Sequence, residues 1–190
     1  MSRDRVIQKI RQHLPAAKFL PDEPEGKIIP DPGKLKETFI ESLKQTGASC
    51  IELPGNEKAA VWLAENYPAA VDLRKREFRE MYSSDCPKEK LAGLETVILE
   101  GQFGVAENGA IWIDETDFPN RLFPFITLKL VIMLDKNKLV SDMHEAYRRI
   151  DLQSAGFGLF ISGPSKTADI EQSLVYGAHG AMEMGVVMIG

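Results

Sequence analysis

The stretch Phe125-Ile126-Thr127-Leu128-Lys129-Leu130-Val131-Ile132-Met133-Leu134 decides the fold. It is apolar almost throughout and reads as one long strand segment. A strand with one wet face alternates apolar and polar residues. A continuous apolar run instead has both faces buried, as in parallel sheets covered by helices. Shorter runs of the same kind occupy residues 48–53, 69–73, 96–99, 110–113, 158–162 and 186–189. Helical segments fall between them. Asp31-Pro32 opens one, with Asp as N-cap and Pro at the first helical position, and it ends near Gly47. Asn56 caps another that runs to about Asn66, and residues 139–150 and 169–175 have helical character. Strands alternating with helices predict an α/β fold with a mostly parallel sheet covered on both faces.

Outward from this centre, residues 3–14 carry Val6, Ile10 and Leu14 at helical spacing. Pro15, Pro21, Pro24, Pro30 and Pro32 follow, so residues 1–32 read as an N-terminal helix and a Pro-rich arm. The 190 residues as a whole fit one domain, and 44% hydrophobic against 27% charged residues supports a sizeable core. A net charge of -5 gives no attraction to a phosphate backbone, so no nucleic-acid partner is expected. Apolar runs stop well short of the ~20 residues of a membrane span, so none is expected. The charged opening Met1-Ser2-Arg3-Asp4-Arg5 lacks a signal segment, so the expected location is cytoplasmic. Arg74 to Glu80 mix both signs and read as a solvated helix face, and Trp62, Trp112 and the Met-rich tail read as core.

Cys50 and Cys86 do not form a C-x-x-C pair, and two thiols build neither a structural zinc site nor an iron–sulfur cluster unaided. Cys50 lies in an apolar run and Cys86 in a loop before Pro87. His13 and His144 fall on helices, and no two histidines have metal-ligand spacing. No metal and no cofactor are expected in this chain.

In open parallel sheets, ligands bind outside the carboxyl ends of the strands. The loops selected by that rule follow Leu53, Leu99, Leu134 and Ser162. After Ser162 comes Gly163-Pro164-Ser165-Lys166-Thr167-Ala168-Asp169-Ile170-Glu171. Read as a turn feeding a helix N-terminus, it offers backbone N–H groups, the hydroxyls of Ser162, Ser165 and Thr167, and the Lys166 charge to a phosphate or carboxylate. It is not a phosphate-binding P-loop, whose two glycines would stand where Phe160 and Ser165 are. The blander reading is helix capping by Thr167 or Asp169. Gly101 to Gly109 form a second glycine-bearing segment. Asn108-Gly109 predicts a β-hairpin turn, and small neighbours leave Glu107 room to act as a base or nucleophile. His179, in Gly177-Ala178-His179-Gly180, is a third candidate.

Ser162 to Glu171 together with Val175 to Gly180 resemble the signature of the LUD-domain family, of the lactate utilization protein C type. Gly104-Val105-Ala106-Glu107-Asn108-Gly109 is similar to that family's upstream motif. Ala181 stands where the family usually has Pro, and Asn108 where it often has Thr. The resemblance implies a three-layer α/β/α fold similar to the sugar-phosphate isomerase and CoA-transferase superfamily. It also implies a non-redox subunit beside iron–sulfur partner proteins that oxidise lactate, binding a small carboxylate or phosphate-bearing ligand. The binding residues expected are Gly104, Asn108, Gly109, Ser162, Gly163, Ser165, Lys166, Thr167, Asp169, Glu171 and His179. Glu107-Asn108-Gly109 further resembles the CoA-transferase signature, in which the glutamate attacks a thioester. An inert subunit and a thioester-acting enzyme therefore both stand open. The expectation is that Glu107, the 162–167 segment and His179 meet in one cleft at the carboxyl edge of the sheet.

Overall fold

The computed structural model describes residues 3–13, 32–151, 156–168, 174–176 and 180–190. In chain order the elements are α1 (Arg3–Gln12), a 3-10 turn (Pro32–Lys34), α2 (Leu35–Thr46), β1 (Ser49–Leu53), α3 (Asn56–Asn66), β2 (Val71–Asp72), α4 (Arg76–Met81) and α5 (Lys88–Ala92). Then come β3 (Thr96–Glu100), β4 (Phe103–Val105), β5 (Ala110–Asp114), α6 (Phe123–Ile126), β6 (Lys129–Asp135), β7 (Leu139–Val140) and α7 (Met143–Arg149). Last are β8 (Gly158–Ile161), β9 (Lys166–Ala168), β10 (Leu174–Tyr176) and β11 (Glu183–Ile189).

The central sheet has the order β1-β11-β6-β3-β2, and every pairing in it is parallel. Side chains on a strand alternate between the two faces, so one apolar run feeds two cores. Leu130, Ile132 and Leu134 of β6 join Val97 and Leu99 of β3 and Met184, Val186 and Met188 of β11 on one face. Val131 and Met133 join Ile98 and Val187 on the other, beneath Ala59 and Leu63 of α3. The fold is α/β with a mostly parallel central sheet, as the continuous apolar runs require.

A second sheet, β7-β4-β5-β8, covers part of the first face. Ile111 and Ile113 of β5 point to the central core, together with Phe39 and Leu43 of α2. Trp112 points the other way, into a smaller cluster with Phe103, Val105 and Ala146 of α7. Residues 158–162 therefore do not extend the parallel sheet: β8 pairs antiparallel with β5.

Several element boundaries differ from the sequence reading, each for a local reason. Residues 125–134 are not one strand. Pro124 stands in the first turn of the short helix α6, and the buried Thr127 hydroxyl donates toward the Glu95 and Lys129 carbonyls, which fixes the turn into β6. Residues 139–150 are not one helix. Leu139 and Val140 pair with β4, and Asp142 then caps α7 by accepting from the Glu145 N–H at 2.8 Å. Asn56 is the first residue of α3 rather than its cap, a position held by Gly55 without a side-chain bond. Helix 169–175 is not formed at its end, since Leu174 and Val175 lie in β10, antiparallel to β9. Asp31, Leu14 and residues 169–173 lie outside the described residues.

At one sheet edge, Glu52 of β1 lies between the Lys36 ammonium at 3.1 Å and the Lys136 ammonium at 3.6 Å. No helix among the described residues is long and apolar enough to cross a membrane. The fold makes the centre of β6 its most sensitive point. Ile132→Ala is expected to cost about 2–5 kcal/mol, because the side chain is fully buried between two covered faces. A urea titration in which the variant loses less than about 1 kcal/mol of unfolding free energy would contradict this packing.

Candidate functional site

The hairpin predicted at Asn108-Gly109 is present: β4 and β5 pair antiparallel around it. Gly109 has φ of 67°, a region costly to side-chain-bearing residues, and a Cβ there would stand 2.8 Å from the Leu43 backbone nitrogen. The Asn108 side-chain oxygen accepts from the Ala110 N–H at 3.0 Å and closes the turn. Gly104 is buried, and a Cβ there would meet the Phe39 ring at 2.8 Å, so the close packing of β4 on α2 requires a glycine.

The hairpin tip is tied to two neighbours. Ser42 of α2 donates to the Ala106 carbonyl at 2.8 Å, and Ser162 donates to the Asn108 carbonyl at 2.7 Å. The 162–166 loop in turn rests on the C-terminal end of α2. Gly163 packs against Thr46, and the Lys166 ammonium donates to the Thr46 carbonyl. A cation there satisfies a helix-end carbonyl and complements the helix dipole. The Ser165 N–H donates to the Ala181 carbonyl at 2.8 Å.

These contacts shape a cavity of about 510 Å³, within the range of small-molecule sites. One wall is polar, with Thr46, Ser162, Ser165 and Lys166, and the other is apolar, including Phe125, Leu130, Leu159 and Met184. Among the described residues lining it, Lys166 alone carries a charge.

The glycine-bearing loops do come together, but not at the expected edge. Leu130 and Met184, which line the cavity, stand at the amino ends of β6 and β11. The reason is topological: β8, which delivers Ser162, belongs to the second sheet, so the carboxyl-end rule for parallel strands does not govern its loop. The residues that directly follow Ser165 are strand. Lys166, Thr167 and Ala168 form β9, and their backbone pairs with β10. Glu107 does not line the cavity. Its carboxylate accepts from the Met143 N–H at 3.0 Å, at the start of α7. Asp169, Glu171 and His179 lie outside the described residues.

A second polar cleft, of about 570 Å³, does open at the carboxyl end of β3. It is lined by Glu100, Gln102, Asp117, Lys138 and Arg149, and the sequence reading passed over Asp117. The Asp114-Glu115-Thr116-Asp117 run after an apolar strand was the available signal. The Gln102 amide donates to Asp114 at 2.6 Å and to Asp117 at 3.2 Å, and Asp117 also accepts from the Asp114 N–H at 2.9 Å. Burial pushes the Asp117 carboxyl up to about 6; the Asp114 N–H bond opposes this, and the Asp114 and Glu100 charges add to it. Cys50 is likewise pushed up to about 11, chiefly by burial, which makes its thiol unreactive. No group of three or more His, Cys, Asp or Glu side chains among the described residues is placed to hold a metal ion.

The family profile described as LUD domain matches residues 27–189. Lactate utilization protein C of Halalkalibacterium halodurans is 29% identical over 166 residues, covering 82% of this chain and 72% of that protein. The proteins of the same name from Bacillus pumilus and Shouchella clausii are 29% and 33% identical over 98 and 91 residues. These two alignments cover 48% and 45% of this chain, and the chain spans only 41% and 39% of those relatives' length. Among solved structures, a DUF162 family protein from Deinococcus radiodurans superposes with a TM-score of 0.61 at 13% identity. That match covers 84% of this chain and 99% of the other, and it speaks to the fold alone.

Asp117 generates a pH signature. Its folded value lies above its ordinary 3.8, so its share of stability is greatest below about 4 and is lost as pH rises through about 6. Asp117→Asn is expected to flatten that slope and to stabilise the protein at pH 8 by on the order of 1 kcal/mol, allowing for solvent screening. Denaturation curves of equal slope between pH 4 and 7 for both proteins would refute the assignment.

Proposed function

The chain belongs to the LUD-domain family, and on that footing we propose that it serves lactate utilization as a non-redox subunit or accessory protein that binds a small carboxylate. Its working partners in this reading are iron–sulfur proteins that carry the electrons. The observation that carries the ligand class is the cavity beside the 162–166 loop, where the Lys166 ammonium and three hydroxyl-bearing residues face an apolar wall. A two- or three-carbon hydroxy or keto acid has matching chemistry. Its carboxylate pairs with Lys166, its oxygen substituent bonds the hydroxyls of Ser162 or Ser165, and its carbon chain rests on Leu130, Leu159 and Met184. The names of the relatives support the pathway. This reading assigns no bond-making step to the chain, and the engagement of Glu107 with the start of α7 agrees with that.

The test is calorimetric titration of the purified chain with L-lactate, pyruvate and phosphate. Binding of at least one carboxylate is expected, weakened about tenfold or more in Lys166→Ala, which corresponds to about 1.4 kcal/mol. If none binds, or if the variant binds equally well, the ligand assignment fails. Incubation with acyl-CoA compounds followed by hydroxylamine should leave Glu107 unmodified. A trapped adduct there would replace this reading with acyl transfer.

A further inference from the structure

Helix α1 lies ahead of the family-matched residues 27–189 and buries none of its side chains. Val6 and Ile10 are 43% and 57% exposed, with the half-buried Ile7 between them. These three form one seam at helical spacing, flanked by Lys9 on one side and Arg11 on the other. Its charge is strongly basic, with Arg3, Arg5, Lys9 and Arg11 against Asp4. A ten-residue helix is marginal in water without tertiary packing, so its apolar seam calls for a covering surface.

The outer side of α3 has the complementary pattern. Val61 is 59% exposed, and Glu57 and Glu65 stand one helical turn before and after it. Together with Leu53 and Trp62 they line a shallow groove of about 430 Å³ at the sheet edge, and Lys58 stands beside them. An apolar centre between two carboxylates thus faces outward on α3, and an apolar seam between two cations faces outward on α1.

We propose that α1 of one copy docks in the α3 groove of a second copy, reciprocally, so that the chain is a symmetric dimer. Val6, Ile7 and Ile10 then cover Val61 and Trp62, while Lys9 and Arg11 meet Glu57 and Glu65. A two-fold exchange makes the contact twice. The doubling matters because the face of one short helix falls below the roughly 1,200 Å² of a stable interface.

The experiment is sedimentation equilibrium on the full chain, with circular dichroism as the control for folding. The wild type is expected to dimerise at micromolar concentration. Glu57→Lys with Glu65→Lys, or Lys9→Glu with Arg11→Glu, should each weaken the dimer about tenfold or more. The four changes combined should restore it, because the charges are swapped across one contact. Ile10→Asp should weaken it without altering the melting of the central domain. A wild type that stays monomeric at about 100 µM overturns the proposal, including the case in which α1 amides are protected from exchange by folding onto their own copy. A dimer indifferent to both charge reversals overturns it equally.

Discussion

The structure depends on β6, β3 and β11 being buried on both faces. Each of these strands sends alternate residues into two separate cores, so neither face tolerates exposure. One face is closed by α3. The other is closed by α2, the short helices and a second sheet, and this composite cover is what brings the hairpin tip and the 162–166 loop together. Ser42, Thr46 and Leu43 belong to the same helix: Leu43 fills the core, while Ser42 and Thr46 hold the two loops at its end. Packing and site geometry are thereby fixed by one element.

The α/β class was legible because apolar runs without alternation have one common explanation. Element ends were less so, because they turn on single side-chain bonds. Nothing in the run from Phe125 to Leu134 announces that Thr127 will be buried and bonded to two carbonyls. Asp142 was a visible capping candidate, but the apolar Leu139 and Val140 before it fit a helical pattern as well as a strand. Tertiary pairing with β4 decided between them.

The site was half legible. Asn108-Gly109 declared its turn through local chemistry, and Ser162 bonds to the carbonyl of that turn. The edge of the sheet on which they meet was not legible, since that depends on β8 joining the second sheet, and strand partnership is a non-local property. Glu107 shows the same limit from the other side. A carboxylate in a small-residue loop invites a chemical reading, yet only the fold reveals that the first N–H of α7 lies within its reach. Asp117 was passed over because burial, which gives it its character, leaves no mark on a short acidic run.

The parallel sheet must end somewhere, and among the described residues no further strand pairs with β1. An open strand edge is a template on which another strand can add, and unchecked addition leads to fibres. Glu52, held between Lys36 and Lys136, places three charges along this margin. Any incoming strand would have to strip water from all three. The border is thereby closed to sheet extension, so self-assembly at this side of the molecule is left to side-chain contacts between helices, which terminate after one partner instead of propagating.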